Sequence, residues 1–177
     1  MFIDESGFHI SMTRLRARAP RGKRAYGRVL RNRGKNQTLI ASITLQGAMG
    51  EAISIKGPTD AELFEAYIED FLAPTLKAGQ MVVLDGLGAH RTSKVRELIE
   101  ERGAELLFLP SYSPDLNPIE EAFSKIKNIV RKAGARSREA LDEAMGEALS
   151  AVTLEDVAGW FSHCGYEPRD QYSLTPL

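Results

Sequence analysis

Cysteine is nearly absent from this chain: Cys164 stands alone among 177 residues. A single thiol excludes an internal disulfide framework and any cysteine-based zinc cluster. It suits a reducing cytoplasm. Long apolar runs are missing as well; none approaches the roughly 18 residues of a membrane helix, so no membrane partner is expected. Met1 is followed at once by Phe-Ile-Asp-Glu, which is not the basic and apolar start of a signal peptide. Net charge is small: 23 basic and 24 acidic residues leave −1. Taken as an average, that number argues against a nucleic-acid partner.

The average conceals a second absence. Between residues 14 and 36 there is no acid, while Arg14, Arg16, Arg18, Arg21, Lys23, Arg24, Arg28, Arg31, Arg33 and Lys35 supply ten positive charges. The rest of the chain therefore carries −11. A basic block of this kind marks either a polyanion contact or a solvated loop. Pro20, Gly22, Gly27 and Gly34 within it suggest an extended arm rather than a helix.

What is present is an ordinary globular balance, 43% hydrophobic and 27% charged residues, in a length that suits one domain with a real core. Phe2-Ile3-Asp4 reads as a short strand ending in acids. Thr38–Leu45 and Ala52–Lys56 are β-branched and apolar, and with the turn Gln46–Gly50 they form a hairpin. Thr59 and Glu62 match a capping box ahead of a helical pattern at Leu63, Phe64, Tyr67, Ile68, Phe71 and Leu72. Met81–Leu84 is a buried strand ending at Asp85. Ser93–Arg102 is a helix closed by Gly103, and Glu105–Leu109 is another strand. A proline-rich loop, Pro110–Pro118, leads into a helix that reaches about Lys132. Two further helices follow at roughly 138–151 and 154–162, capped by Ser137 and Thr153. The order implies an α/β fold, a mixed five-stranded sheet flanked by helices. Residues 1–165 form the domain, and 166–177 read as a polar C-terminal tail.

Asp4 and Asp85 each follow a short apolar strand. If those strands are parallel neighbours, both carboxylates emerge at one sheet edge, where open α/β sheets bind ligands. Adjacent carboxylates repel unless a cation lies between them, and hard oxygen ligands select Mg²⁺ or Mn²⁺. Solvated loop acids would give the same pattern. In Pro118–Lys132 the residues Ile119, Ala122, Phe123, Ile126, Ile129 and Val130 share a stripe. Glu120 lies on its border, while Glu121 points nearer the middle of the polar face. With Asn117 as N-cap and Pro118 first in the helix, Glu120 also occupies the third position of a capping box. A cap and a metal ligand compete for that one carboxylate. Glu5 is set aside as a ligand because strand alternation turns it to the other face. Asp115 and Asn117 read as turn and cap residues. Lys125, Lys127, Arg131 and Lys132 line the polar side of this helix and either meet phosphates or solvate the face.

Three blocks carry a resemblance. Phe2-Ile3-Asp4-Glu5-Ser6-Gly7, Val82-Val83-Leu84-Asp85 with Gly88-Ala89-His90, and Leu109-Pro110-Ser111-Tyr112-Ser113-Pro114-Asp115-Leu116-Asn117-Pro118-Ile119-Glu120 together resemble the catalytic domain of DDE transposases, in the bacterial insertion-sequence branch of the mariner-like superfamily. The resemblance implies a ribonuclease H-like fold with Asp4, Asp85 and Glu120 as both catalytic residues and metal ligands. It implies two Mg²⁺ ions, replaceable by Mn²⁺, that stabilise the attacking and leaving oxygens of a phosphodiester displacement. The expected function is nicking at transposon ends by hydrolysis, followed by joining of the freed 3′-hydroxyl to target DNA. The alternative is a truncated or repurposed relic that binds DNA without transposing it; an RNA–DNA hybrid nuclease fits the third block poorly. His90 and Asn117 are possible active-site support. The basic residues of 14–36, together with Lys127, are the expected DNA contacts. Expected partners are double-stranded DNA as transposon end and target, a second copy of the chain on DNA, and a separately encoded helix-turn-helix protein, because the N-terminal helix-turn-helix region of relatives is expected to be absent here. The expected location is the bacterial cytoplasm, at the nucleoid. Relatives often carry Asn directly after the second Asp, where this chain has Gly86.

Overall fold

The computed structural model describes residues 1–166. Its centre is one five-stranded sheet of order β3-β2-β1-β4-β5. The strands are β1 (Phe2–Phe8), β2 (Gln37–Thr44), β3 (Gly47–Lys56), β4 (Met81–Leu84) and β5 (Glu105–Phe108). The first three pair antiparallel, and β1, β4 and β5 run parallel. The sheet is therefore mixed, as the alternation of elements implies. β1 is longer than the expected Phe2–Asp4, because pairing with β2 continues from Phe2↔Ile43 to Phe8↔Gln37 and carries polar Glu5, Ser6 and Gly7 with it. The hairpin turn is also tighter than expected. β3 begins at Gly47 rather than Ala52, with register irregularities near Ala41 and Ile43 that absorb the small residues.

Strand alternation splits the core in two. Phe2, Phe8, Leu39, Ala41, Ile43 and Val83 face one layer, built from α3 (Pro118–Ala133), α4 (Arg138–Ser150) and α5 (Leu154–His163). Ile3, Ile40, Val82 and Leu84 face the other, built from α1 (Ala61–Tyr67) and α2 (Ser93–Glu100). α3 is the main contact of the first layer. Its buried side is Pro118, Ile119, Ala122, Phe123, Ile126 and Val130, and each large apolar side chain buried there contributes roughly 1.5–3 kcal/mol. Gly134, at φ +65°, ends the helix in the left-handed region that a Cβ disfavours.

The cap of α1 differs from expectation. Asp60, not Thr59, caps α1, its carboxylate accepting from the Leu63 N–H at 3.0 Å. The helix then widens into a π-turn over Ile68–Leu72 before Pro74 stops it. Ser137 and Thr153 cap α4 and α5 as expected, the latter in a full capping box with Asp156. At the far end, Tyr166 packs on Phe2 and Phe161, and its hydroxyl donates to the Leu116 carbonyl at 2.8 Å. The core thus extends one residue past 165. The expected tail lies otherwise outside the described residues. Residues 14–36 run as an exposed arm with no helix or strand.

Candidate active site

The parallel register builds the site. Phe2 sits opposite Val83. Two residues on in each chain direction, Asp4 and Asp85 are level, on neighbouring strands that lie about 4.8 Å apart. The same alternation that sends Phe2 and Val83 toward α3 sends Asp4 that way too. Glu120, in the first turn of α3, completes the rim. Asp4, Asp85, Asn117 and Glu120 line one cleft of about 380 Å³, closed on the far side by the loop Leu109–Pro114.

Asp4 is 7% exposed. One of its oxygens accepts from the Glu5 backbone N–H at 2.7 Å. The other accepts from Asn117 Nδ2 at 2.9 Å. Burial pushes the Asp4 carboxyl up to about 7, against the pull of the Glu5 N–H, and the charges of Asp85, Glu120 and Glu5 add to the rise. The neighbouring charges thus add to what burial does to Asp4. Asn117 is the N-cap of α3 by position, but its side chain makes no capping hydrogen bond. It reaches Asp4 instead, so the expected capping box with Glu120 does not form, and the Glu120 side chain is left exposed to the cleft.

His90 is fully buried on the opposite face of the sheet edge. Its ring lies 4.1 Å from that of Phe64, centroid to centroid. Nδ1 is 2.6 Å from Asp85 Oδ1, and Nε2 is 2.9 Å from Glu5 Oε2. Both contacts sit off the line of a well-formed N–H bond, so charge carries them. Burial draws the imidazole down, but the Asp85 and Glu5 carboxylates outweigh it and push the group up to about 9. Asp85 is drawn up by burial, yet His90 and the Leu87 N–H hold it below its usual range. Sequence reasoning named His90 but missed Glu5 as its partner. Alternation places Glu5 on the α1/α2 face, as expected, and there it meets the histidine rather than solvent. A buried acid at that strand position was the available signal.

Several expected residues lie elsewhere. Lys127 is half-buried, with its ammonium 5.9 Å from the centre of the Phe8 ring. Glu121 is half-buried, 3.2 Å from His163 Nδ1. A Cβ at Gly86 would stand 3.0 Å from Arg91 Nη2, the mobile end of a long side chain. Tyr112, at φ +59°, is fully exposed at the cleft rim.

The donors are hard oxygens gathered on one cleft, with buried Asp4 among them, so their chemistry fits a divalent cation. Among the described residues no three acid, histidine or cysteine side chains are already drawn together as a ligand group. The acids share a cleft without being closed around a point.

A model of the DDE superfamily endonucleases matches residues 1–142. Among solved structures, the Mos1 transposase paired-end complex with left transposon end is 20% identical, with a TM-score of 0.74 over 92% of this chain and 51% of that one. The mariner Mos1 paired-end complex with Mg is also 20% identical, with a TM-score of 0.69 over 93% and 52%. The catalytic domain of Mos1 mariner transposase gives 15% identity and 0.61 over 93% and 75%. These likenesses identify the fold as ribonuclease H-like. The chain spans about half the length of the Mos1 chains in the two complexes. No curated protein matches the chain. With the level register of Asp4 and Asp85, the Glu120 rim and a family model covering most of the sequence, the chain belongs to the DDE superfamily endonucleases.

Proposed function

We propose that this endonuclease is the catalytic domain of a DNA transposase of the bacterial insertion-sequence branch, acting on transposon ends at the nucleoid. The observation that carries the reading is the shared cleft of Asp4, Asp85 and Glu120. These three carboxylates would hold two Mg²⁺ or Mn²⁺ ions. When bound, the ions supply charge neutralisation at the attacking and leaving oxygens of a phosphodiester. Asn117 orients Asp4 through its amide. His90 fixes Asp85 from behind and balances its charge against Glu5. The Ser111–Pro114 loop lines one side of the cleft. Water attacks first, leaving a 3′-hydroxyl and a 5′-phosphate. The 3′-hydroxyl then attacks target DNA, displacing one target 3′-oxygen and conserving the bond count. The arm of 14–36 holds duplex DNA electrostatically. A second copy of the chain takes the other end, and a separately encoded helix-turn-helix protein supplies end recognition.

A second reading, a relic that binds DNA without cutting, is favoured by one observation: Asp85 Oδ1 already faces His90 and accepts from the Leu87 N–H at 3.0 Å. The deciding experiment is nicking of duplex DNA that carries the element's terminal inverted repeats. The enzyme reading requires cleavage with Mg²⁺ or Mn²⁺, none in chelator, and loss in Asp85→Asn with binding intact. Binding with no cleavage under any metal supports the relic.

A further inference from the structure

We propose that the exposed flank of α3 and the root of the basic arm form a groove for the phosphate backbone of duplex DNA, about five base-pair steps from the catalytic cleft. The inference rests on the reading of the chain as a DNA-cutting enzyme, and it assigns a second contact to that enzyme.

The groove encloses about 810 Å³ between Arg14 and Arg16 of the arm and Ser124, Asn128, Arg131 and Lys132 of α3. Four cations line it and no acid does. Among the described residues, none of these four cations pairs with a carboxylate. The nearest polar partner of Arg131 is Asn128 Oδ1, at 3.4 Å from its Nη1. Burial, followed by the charges of Arg33 and Arg131, also pushes the nearby His9 imidazole down, so the positive field extends past the groove lining. The other flank of the same helix is different. There Lys125 pairs with Asp156, and Glu121 faces His163, both partners on α5. A face that merely solvates charge would not leave one flank neutralised and the other uniformly positive. Unpaired cations this close repel, and a polyanion is the ligand that relieves them.

The arm root is fixed rather than loose. Arg136 Nη1 donates to the Ile10 and Met12 carbonyls at 3.0 and 3.1 Å, which sets Arg14 and Arg16 across from α3. Helical spacing then links the groove to the cleft. Glu120, Ser124, Asn128 and Arg131 are steps of four, four and three, and so form one stripe. At about 1.5 Å per residue the stripe runs roughly 16 Å from Glu120 to Arg131. Duplex DNA advances about 3.4 Å per base pair, which gives about five steps. Ser124 and Asn128 offer hydrogen-bond donors to phosphate oxygens along the way, and the guanidinium of Arg131 can bind one bidentately.

The test uses the full chain and a terminal-repeat duplex, with binding read by fluorescence anisotropy over a KCl series without divalent metal. Arg131→Ala with Lys132→Ala should lower affinity roughly tenfold per lost phosphate contact at about 0.1 M salt, and flatten the log–log salt slope by about 0.9 per contact. Lys77→Ala with Arg102→Ala removes the same charge ahead of β4 and β5, at the sheet edge opposite the cleft, and should change neither. Neutral methylphosphonate linkages about five steps from the cleavage position should weaken the wild type and leave the groove variant unaffected. Equal thermal midpoints exclude misfolding, and Arg131→Lys should restore most of the slope.

Wild-type affinity and slope in the groove variant, with wild-type nicking observed, overturn the groove alone. Weakened, flattened binding in the variant with no nicking by the wild type sustains the groove and overturns the catalytic reading. Tighter binding of single-stranded RNA than of the duplex overturns the assignment to duplex DNA.

Discussion

His90 has no exposed surface, yet both ring nitrogens face carboxylates, Glu5 on β1 and Asp85 just past the end of β4. Removing the ring would take the bridging charge from Glu5 and Asp85 together. His90→Ala should therefore cost ~2–4 kcal/mol in urea unfolding, below the usual range for a fully buried pair because Asp85 is 32% exposed. A loss under about 0.5 kcal/mol, the scale of an ordinary surface change, would contradict the bridging role. Asn117 acts on Asp4 alone among the acids, through one 2.9 Å hydrogen bond. Asn117→Ala should leave the fold nearly intact and cost about 10–100-fold in Mg²⁺ affinity or nicking rate, the usual penalty for losing a partner behind a metal ligand. An unchanged Mg²⁺ titration would show that Asp4 needs no such support. Gly86→Asn should be tolerated, because only the end of Arg91 must move. Stability measured by thermal unfolding checks that directly.

At the scale of elements, α3 and α5 are joined by Asp156. The Lys125 ammonium and the Thr153 N–H hold its carboxyl down at about 2, from an ordinary 3.8. The charged form is favoured in the folded state, so this contribution is complete above about pH 4 and disappears as pH falls toward 2. Denaturant midpoints should drop over that window, and less steeply in Asp156→Asn. Parallel pH profiles in the two proteins would contradict the pairing. The helices were legible in the sequence because each carries its own stripe and its own stop: Ile119, Phe123, Ile126 and Val130 share one face of α3, and Gly134 follows. Strand ends were less legible. Nothing local in Glu5-Ser6-Gly7 signals a strand; pairing with β2 makes it one. Asp60 displaced Thr59 as a cap because either oxygen serves and only backbone geometry selects between them. The Asn117–Asp4 contact spans 113 positions and His90–Glu5 joins separate elements. No local pattern predicts such pairs, although each acid and the histidine were visible singly.

For the whole molecule, the −1 net charge is a sum of opposites. The exposed arm holds +10 and the rest of the chain −11, part of it in the cleft. On the proposed reading, this asymmetry would let an acidic cleft act on a polyanion, with the arm and the α3 flank holding DNA that the cleft alone would repel. The comparison with the Mos1 complexes covers about half of those chains, so end recognition and pairing belong to the proposal rather than to the fold. The central claim is that Asp4, Asp85 and Glu120 together hold divalent metal. It is tested most directly by Mn²⁺ titration of the full chain, followed by electron paramagnetic resonance, for the wild type and for Asp4→Asn, Asp85→Asn and Glu120→Gln. The account predicts bound Mn²⁺ in the wild type and sharply weaker binding in each variant. Equal Mn²⁺ binding in all four proteins would contradict it.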